Sequence, residues 1–315
     1  MFARLAIVIL LGGTLMGALA CAGSAPLPPK AVELNELGAM ALQEGDLEAA
    51  GARLNLALEY NPEFVEAITN LGLVEMQRGN FTRARQLLNR AKRLNPDLAE
   101  PHHGLGVLAE REHRPDVAQQ HYQAALAIDP GFVPARSNLA TLFLESGLYE
   151  DALVQFRRLY EVAPESPLGH EGLAESLLAL QRHEEALSIV EAGLQSFPGS
   201  PGLTIALARL SLHAGELSNA MALLRKVAGR NDDYGAQACA WLAVGHLTAS
   251  APERAVGAAQ KALAMAPDHP LASYVLAVSL DTLNAPEAKR WLEQAIRLNP
   301  NNQELRGRIA GRSVN

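Results

Sequence analysis

The 315-residue chain has two cysteines, Cys21 and Cys239, too few and too far apart for a disulfide framework to hold the fold together. Aromatic residues are scarce at 5%, so a core must come from the many alanines and leucines, which suits closely packed helices rather than strands. An excess of positive charge is also missing: 27 basic residues face 34 acidic ones, a net charge of −7, which excludes the basic footprint of a nucleic-acid-binding protein. No GxxxxGK[ST], GxSxG or HExxH occurs, and His183-Glu184-Glu185 lacks a second histidine one turn later. His102 and His103 are neighbours on a helix and point about 100° apart, so they cannot share a metal unaided. Together with His113 and His121 they read as solvated surface histidines. Nothing assembles an acid, a base and a nucleophile, so the chain reads as a non-enzyme without cofactor or metal.

What the chain does have begins with a leader. Arg4 supplies one positive charge, Leu5 to Ala20 are apolar or small, and Ala18-Leu19-Ala20 precede Cys21. That order describes a secretory signal over residues 1–20. A small residue directly before a cysteine resembles the lipobox of bacterial lipoproteins, although Ala18 and Leu19 stand in reversed order. The resemblance implies that Cys21 is acylated and becomes the new N-terminus. Residues 21–30 then form a tether of small residues and proline, Ala22-Gly23-Ser24-Ala25-Pro26-Leu27-Pro28-Pro29. Ala22 in place of Asp resembles an outer-membrane sorting feature, so the expected location is the periplasmic face of the outer membrane. Ordinary cleavage giving a soluble periplasmic protein, or an uncleaved anchor, are the alternatives.

The body of the chain is periodic. Pro62, Pro96, Pro130, Pro164 and Pro198 follow one another at intervals of 34, and the clearest unit runs from Ala67-Ile68-Thr69-Asn70-Leu71-Gly72 to Leu94-Asn95-Pro96. A helix with a Leu-Gly pair, a turn at Gly79 and a second helix with Ala84, Leu88 and Ala91 make up one unit. The first unit carries Leu34, Leu37, Gly38 and Ala41 on one helix and Ala50, Leu54 and Ala57 on the next; His113 replaces the turn glycine in the third. Pro267 lies 69 beyond Pro198, so two units with one extra residue near Arg230-Asn231-Asp232-Asp233 fill that gap. The expected repeats are 31–64, 65–98, 99–132, 133–166, 167–200, 201–235, 236–269 and 270–302. Within the solenoid span 31–300 they are followed by a capping helix and tail over 301–315 that holds Arg306, Arg308 and Arg312. Glycine inside a helix costs about 1 kcal/mol relative to alanine, so Gly38, Gly72 and Gly106 imply a close neighbour. Cys239 reads as a buried small hydrophobe, and Trp241 and Trp291 as packing residues.

Helix–turn–helix units of 34 residues resemble the tetratricopeptide repeat family across almost the whole mature chain. The resemblance implies an all-α, right-handed superhelical solenoid of about eight repeats whose first helices line a concave groove. By the same resemblance, the groove-facing slots hold Leu42, Thr69, Leu73, Met76, His103, Val107, Leu144, Leu178, Ile205, Arg209, Leu212, Val244, Leu247 and Tyr274. Asn70 and Asn138 occupy the slot from which other members hydrogen-bond a peptide backbone. Asn35 and Ala39 stand where a clamp for acidic tails would need other residues, so an apolar segment of a partner is the expected ligand. The implied function is an interaction scaffold for another cell-envelope protein, tethered to the membrane by lipid. It resembles the pilotin lipoproteins of type IV pili, which deliver a secretin to the outer membrane. The alternative is an adaptor for an envelope hydrolase or peptidase; a transferase accessory is a third reading.

Overall fold

The computed structural model describes residues 27–298, which form sixteen α-helices and no strand. The leader, Cys21 and the expected C-terminal cap lie outside the described residues. The chain divides into two compact units at residues 146 and 147. In the first unit the helices are α1 (Pro29–Gln43), α2 (Leu47–Tyr60), α3 (Val65–Gln77), α4 (Phe81–Leu94), α5 (Ala99–Arg111), α6 (Pro115–Ile128) and α7 (Val133–Glu145). The second unit begins with α8 (Tyr149–Val162), α9 (Pro167–Ala179), α10 (His183–Ser196), α11 (Pro201–His213) and α12 (Leu217–Val227). It continues with α13 (Asp233–Thr248), α14 (Pro252–Met265), α15 (Pro270–Thr282) and α16 (Ala288–Leu298).

Each unit is a stack of antiparallel helical hairpins. In the first, α1 pairs with α2, α3 with α4 and α5 with α6, while α1, α3 and α5 also pack side by side. In the second, α9, α11, α13 and α15 pack in the same way against one another and against their hairpin partners. Small side chains set this spacing. Ala50, Ala84, Ala118, Ala152, Ala186, Ala220, Ala255 and Ala288 recur once per hairpin on the second helix, and all are fully buried. Opposite them, a Cβ placed on Gly106 would stand 2.5 Å from the Tyr122 ring, and one on Gly72 would stand 3.0 Å from Leu88. Glycine is present because the partner's side chain fills the space that a Cβ would take.

The hairpin turns share one backbone requirement. Gly45, Gly79, Gly147 and Gly215 have φ between 75° and 81°, and His113, Gln181, Ser250 and Asn284 hold the equivalent places at 55° to 59°. This left-handed residue ends the first helix in a Schellman motif: the amide two residues past the helix end bonds a carbonyl five residues back. Asp46 donates to Ala41 at 2.9 Å, Asn80 to Glu75 at 2.8 Å, Arg114 to Ala109 at 2.9 Å and Arg182 to Leu177 at 2.9 Å. The extra residue expected near Arg230 is absorbed between α12 and α13, where Asp232 caps α13 by accepting from the Gly235 amide at 3.0 Å.

One repeat position departs from its counterparts. Leu71, Leu105 and Leu139 are buried, whereas Leu37, at the same place in the first hairpin, is 38% exposed. Among the described residues no earlier hairpin stands against α1 to cover it.

Left-handed φ strains any residue with a Cβ, by roughly 1–2 kcal/mol for most and less for Asn. Gln181→Gly is therefore expected to raise stability by up to about 1 kcal/mol, and Gly79→Ala to lower it by about as much. Asn284→Gly should change little. Urea unfolding of the three variants checks the order, and a destabilised Gln181→Gly would contradict it.

Candidate protein-binding surface

The side chains expected along the first helices are mostly buried in the first unit and mostly half-buried in the second. In the first unit Leu42, Thr69, Asn70, Leu73, Met76, His103, Val107 and Asn138 are buried, and Leu144 is half-buried. Their polar members bond within the fold, save that Asn70 Oδ1 is buried without a partner. Thr69 Oγ1 donates to the Val65 carbonyl at 2.8 Å, one turn back. Asn70 Nδ2 donates to Asn35 Oδ1 at 3.0 Å, a bond between α1 and α3 across 35 residues. The same offset joins Asn138 Nδ2 on α7 to His103 Nε2 on α5 at 3.1 Å. Asn70, Asn138 and His103 therefore join successive first helices, and Leu73 reaches the glycine gap at Gly104 on α5.

His103 is consequently a core residue rather than the solvated histidine that its sequence context suggests. It is 2% exposed, packs edge-on to Phe132 and lies beside Tyr122, and burial pushes its imidazole down to about 4. Tyr122 is fully buried as well and donates its hydroxyl to Glu110 Oε2 at 2.9 Å. Burial pushes the Glu110 carboxyl up to about 7, against the Tyr122 hydrogen bond and with a contribution from Glu145. His102 and His121 are half-buried and meet at Nδ1···Nδ1 3.3 Å. Among the described residues no group of three His, Cys, Asp or Glu side chains is placed to hold a metal.

In the second unit Leu178 and Ile205 are buried, but Arg209, Leu212, Val244, Leu247 and Tyr274 are only half-buried. They lie on α11, α13 and α15, the first helices of three successive hairpins. Leu247 and Tyr274 pack with Trp291 at the foot of the strip, and Leu212 and Trp241 flank the next cluster. Arg209 is held from two sides: its Nη1 pairs with Glu175 on α9, and its guanidinium stacks 4.8 Å from the Trp241 ring centre. Beside it, Glu171 accepts from Ser200 Oγ at 2.5 Å and from the Tyr234 hydroxyl at 2.6 Å. The result is an apolar strip rimmed by a fixed cation and a fixed carboxylate.

Glu175 and Trp241 had no place in the lining expected from sequence. Glu175 stands 34 residues before Arg209, in the same slot of the preceding repeat, and that spacing is the signal that could have found it. Trp241 packs, as read, but also orients a charge. Cys239 is buried, and burial raises its thiol. No helix among the described residues is long and apolar enough to cross a membrane.

Comparison with known proteins places this geometry in a family. Two tetratricopeptide repeat models match, one over residues 103–156, 137–201 and 242–303 and the other over 41–105 and 177–242. A search of curated proteins finds no match. Among solved structures, a tetratricopeptide repeat protein from Parabacteroides merdae aligns at 20% identity and TM-score 0.62, covering 80% of this chain and 100% of that one. A chain of the APC/C hetero-tetramer Cut9–Hcn1 aligns at 15% identity and TM-score 0.65 over 88% of this chain and 55% of its own. Pseudomonas aeruginosa pilF aligns at 22% identity and TM-score 0.53 over 68% of this chain and 97% of its own. At these identities the likeness is one of fold.

Glu110 and His103 give stability opposite pH dependences. A carboxyl raised from 4.5 to about 7 stabilises the fold below pH 4.5, and that contribution is lost as pH rises through 7. A histidine lowered from 6.5 to about 4 stabilises above 6.5, and that contribution is lost as pH falls through 4. Glu110→Gln removes the first effect alone. Relative to wild type it should gain roughly 1–2 kcal/mol more at pH 8 than at pH 5, discounted for partial exposure. Urea melts at the two pH values measure this, and equal shifts would contradict it. The repeats, the hairpin packing and the two family matches agree: the chain belongs to the tetratricopeptide repeat family.

Proposed function

We propose that this protein is a membrane-tethered, non-catalytic scaffold that holds a segment of another cell-envelope protein on the strip of its second unit. Tetratricopeptide arrays are protein–protein interaction scaffolds, and the observation that carries the reading here is the half-exposed run Leu212, Val244, Leu247 and Tyr274 beside Arg209. Four apolar side chains on three consecutive first helices, Leu212 on α11, Val244 and Leu247 on α13 and Tyr274 on α15, suit an extended or helical apolar segment laid across the hairpins. Arg209 is held in place before any ligand arrives, so little side-chain freedom is lost when it meets a carbonyl or carboxylate of the partner. The buried positions of the first unit leave the second unit as the place where a partner gains most.

The tether is part of the proposal. The charged start, the apolar stretch and the small residue before Cys21 support acylation at that cysteine, and the proline-containing segment would hold the array off the bilayer. Each buried methylene adds about 0.8 kcal/mol, so several acyl chains would retain the protein on the outer membrane, facing the periplasm. A pilus or secretion component is the first partner to look for, on the pilotin-like combination of lipid anchor and repeats. An envelope hydrolase or peptidase is the second.

Affinity purification from solubilised membranes tests both parts in one design. Leu212→Asp with Leu247→Asp should cut partner recovery at least ten-fold while the protein stays in the membrane fraction with an unchanged helical spectrum. Cys21→Ser should release the protein from the membrane fraction and leave partner recovery intact. Full recovery with the double variant would refute the strip, and membrane retention of Cys21→Ser would refute the lipid.

A further inference from the structure

Four side chains of the first unit form a hydrogen-bonded chain that the proposed surface does not use. Tyr122 on α6 donates its hydroxyl to Glu110 Oε2 on α5 at 2.9 Å. On α7, one nitrogen of Asn138 lies 3.3 Å from the Tyr122 oxygen and 3.1 Å from His103 Nε2. His103, Tyr122 and Asn138 are all buried, so no bulk water can substitute for a missing partner.

The deciding feature is that a single end of the Asn138 carboxamide meets both neighbours. Both must accept from it, or both must donate to it. With Nδ2 at that end, the Tyr122 oxygen accepts, so its one hydrogen goes to Glu110. His103 Nε2 then presents a lone pair, and the imidazole proton sits on Nδ1. Turning the carboxamide over brings Oδ1 to the same point and reverses every bond. Tyr122 then donates to Asn138, and His103 carries its proton on Nε2. The hydrogen facing the Tyr122 oxygen must now come from Glu110, which only the neutral acid can supply.

We propose that this chain is a proton-operated relay, in which a proton added at Glu110 turns Asn138 over and moves the His103 proton from Nδ1 to Nε2. The net change is one proton taken up by the Glu110 carboxylate. The imidazole stays neutral, losing its Nδ1 proton to water and gaining one on Nε2 during local opening. The surroundings favour both end states. From α7, Glu145 opposes charge on Glu110, and from α6 only the Tyr122 hydroxyl supports it. Glu66 on α3 acts on Glu100 instead. His103 faces Tyr122, Phe132 and Asn138, and burial keeps it uncharged. Glu110 and His103 lie seven residues apart on α5, about 10 Å along the helix. The charge at a half-exposed position is thus registered inside the junction of α5, α6 and α7, whatever the protein binds.

The test uses the full chain with ¹⁵N-labelled histidine, the His103 signals being assigned by their loss in His103→Gln. Ring nitrogen shifts should show the Nδ1–H tautomer at pH 8.5 and the Nε2–H tautomer at pH 5.5, changing over near pH 7. In Glu110→Leu the Tyr122 hydroxyl has only Asn138 to donate to, so Nε2–H should hold at both pH values. The same wild-type tautomer at both pH values would overturn the relay, as would Nδ1–H at pH 8.5 in Glu110→Leu. If Glu110→Leu does not fold, Tyr122→Phe cuts the link and should abolish the pH response of the tautomer. Persistence of that response would equally overturn the proposal.

Discussion

Each hairpin depends on one exchange of volume between its two helices. A residue without bulk on the first helix lets a larger side chain of the second seat against backbone, as Leu54 does at Gly38, Leu88 at Gly72 and Tyr122 at Gly106. Where the first helix carries Ala243, the residue in the place of Tyr122 falls to Ala259, and both are fully buried in one cluster. The first helix keeps a glycine or alanine at this place throughout, while the side chain seated against it ranges from Ala259 to Leu88, Phe156 and Tyr122. Close approach then fixes the spacing of the hairpin, and equal spacing lets the next hairpin stack. The aligned first helices, and any surface they present, follow from this exchange.

Much of this was legible in the sequence because the constraint repeats. A small residue, a left-handed turn and a closing proline recur every 34 residues, and the alanines from Ala50 to Ala288 keep that register through one inserted and one missing residue. His113 could be placed at a turn because the period demanded one there, although only the backbone shows its φ of 57°. The exposure of Leu37 was not legible for the opposite reason: a period does not say which neighbours a unit has, and among the described residues no earlier hairpin covers Leu37 as Leu71 and Leu105 are covered.

The surface was less legible than the fold. Slot positions identify which residues lie on the first helices, but burial there depends on what neighbouring helices bring. In the first unit polar groups pair across 35 residues, Asn35 with Asn70 and His103 with Asn138, and these pairings arise only once the helices align. A lone histidine beside His102 gives no sign of an asparagine one repeat later that will claim it. In the second unit Leu178 and Ile205 are buried too, whereas Leu212, Val244, Leu247 and Tyr274 pack on the edges of their clusters and stay only partly covered. Arg209 illustrates both effects: its slot and the matching slot of Glu175 one repeat earlier were visible in sequence, whereas the Trp241 ring beneath its guanidinium required the third dimension.

The account thus separates two roles within one repeat pattern. Under the two proposals, the first unit uses its inner positions for a polar, proton-sensitive junction, and the second keeps some of its own partly open for a partner. The most direct measurement is site-specific photocrosslinking in membranes, with a photoreactive residue at Leu247 on α13 or at Lys261 on α14 of the same hairpin. The account predicts a partner adduct from position 247 and none from 261. Adducts from 261 alone would place the contact on the second helices and contradict it.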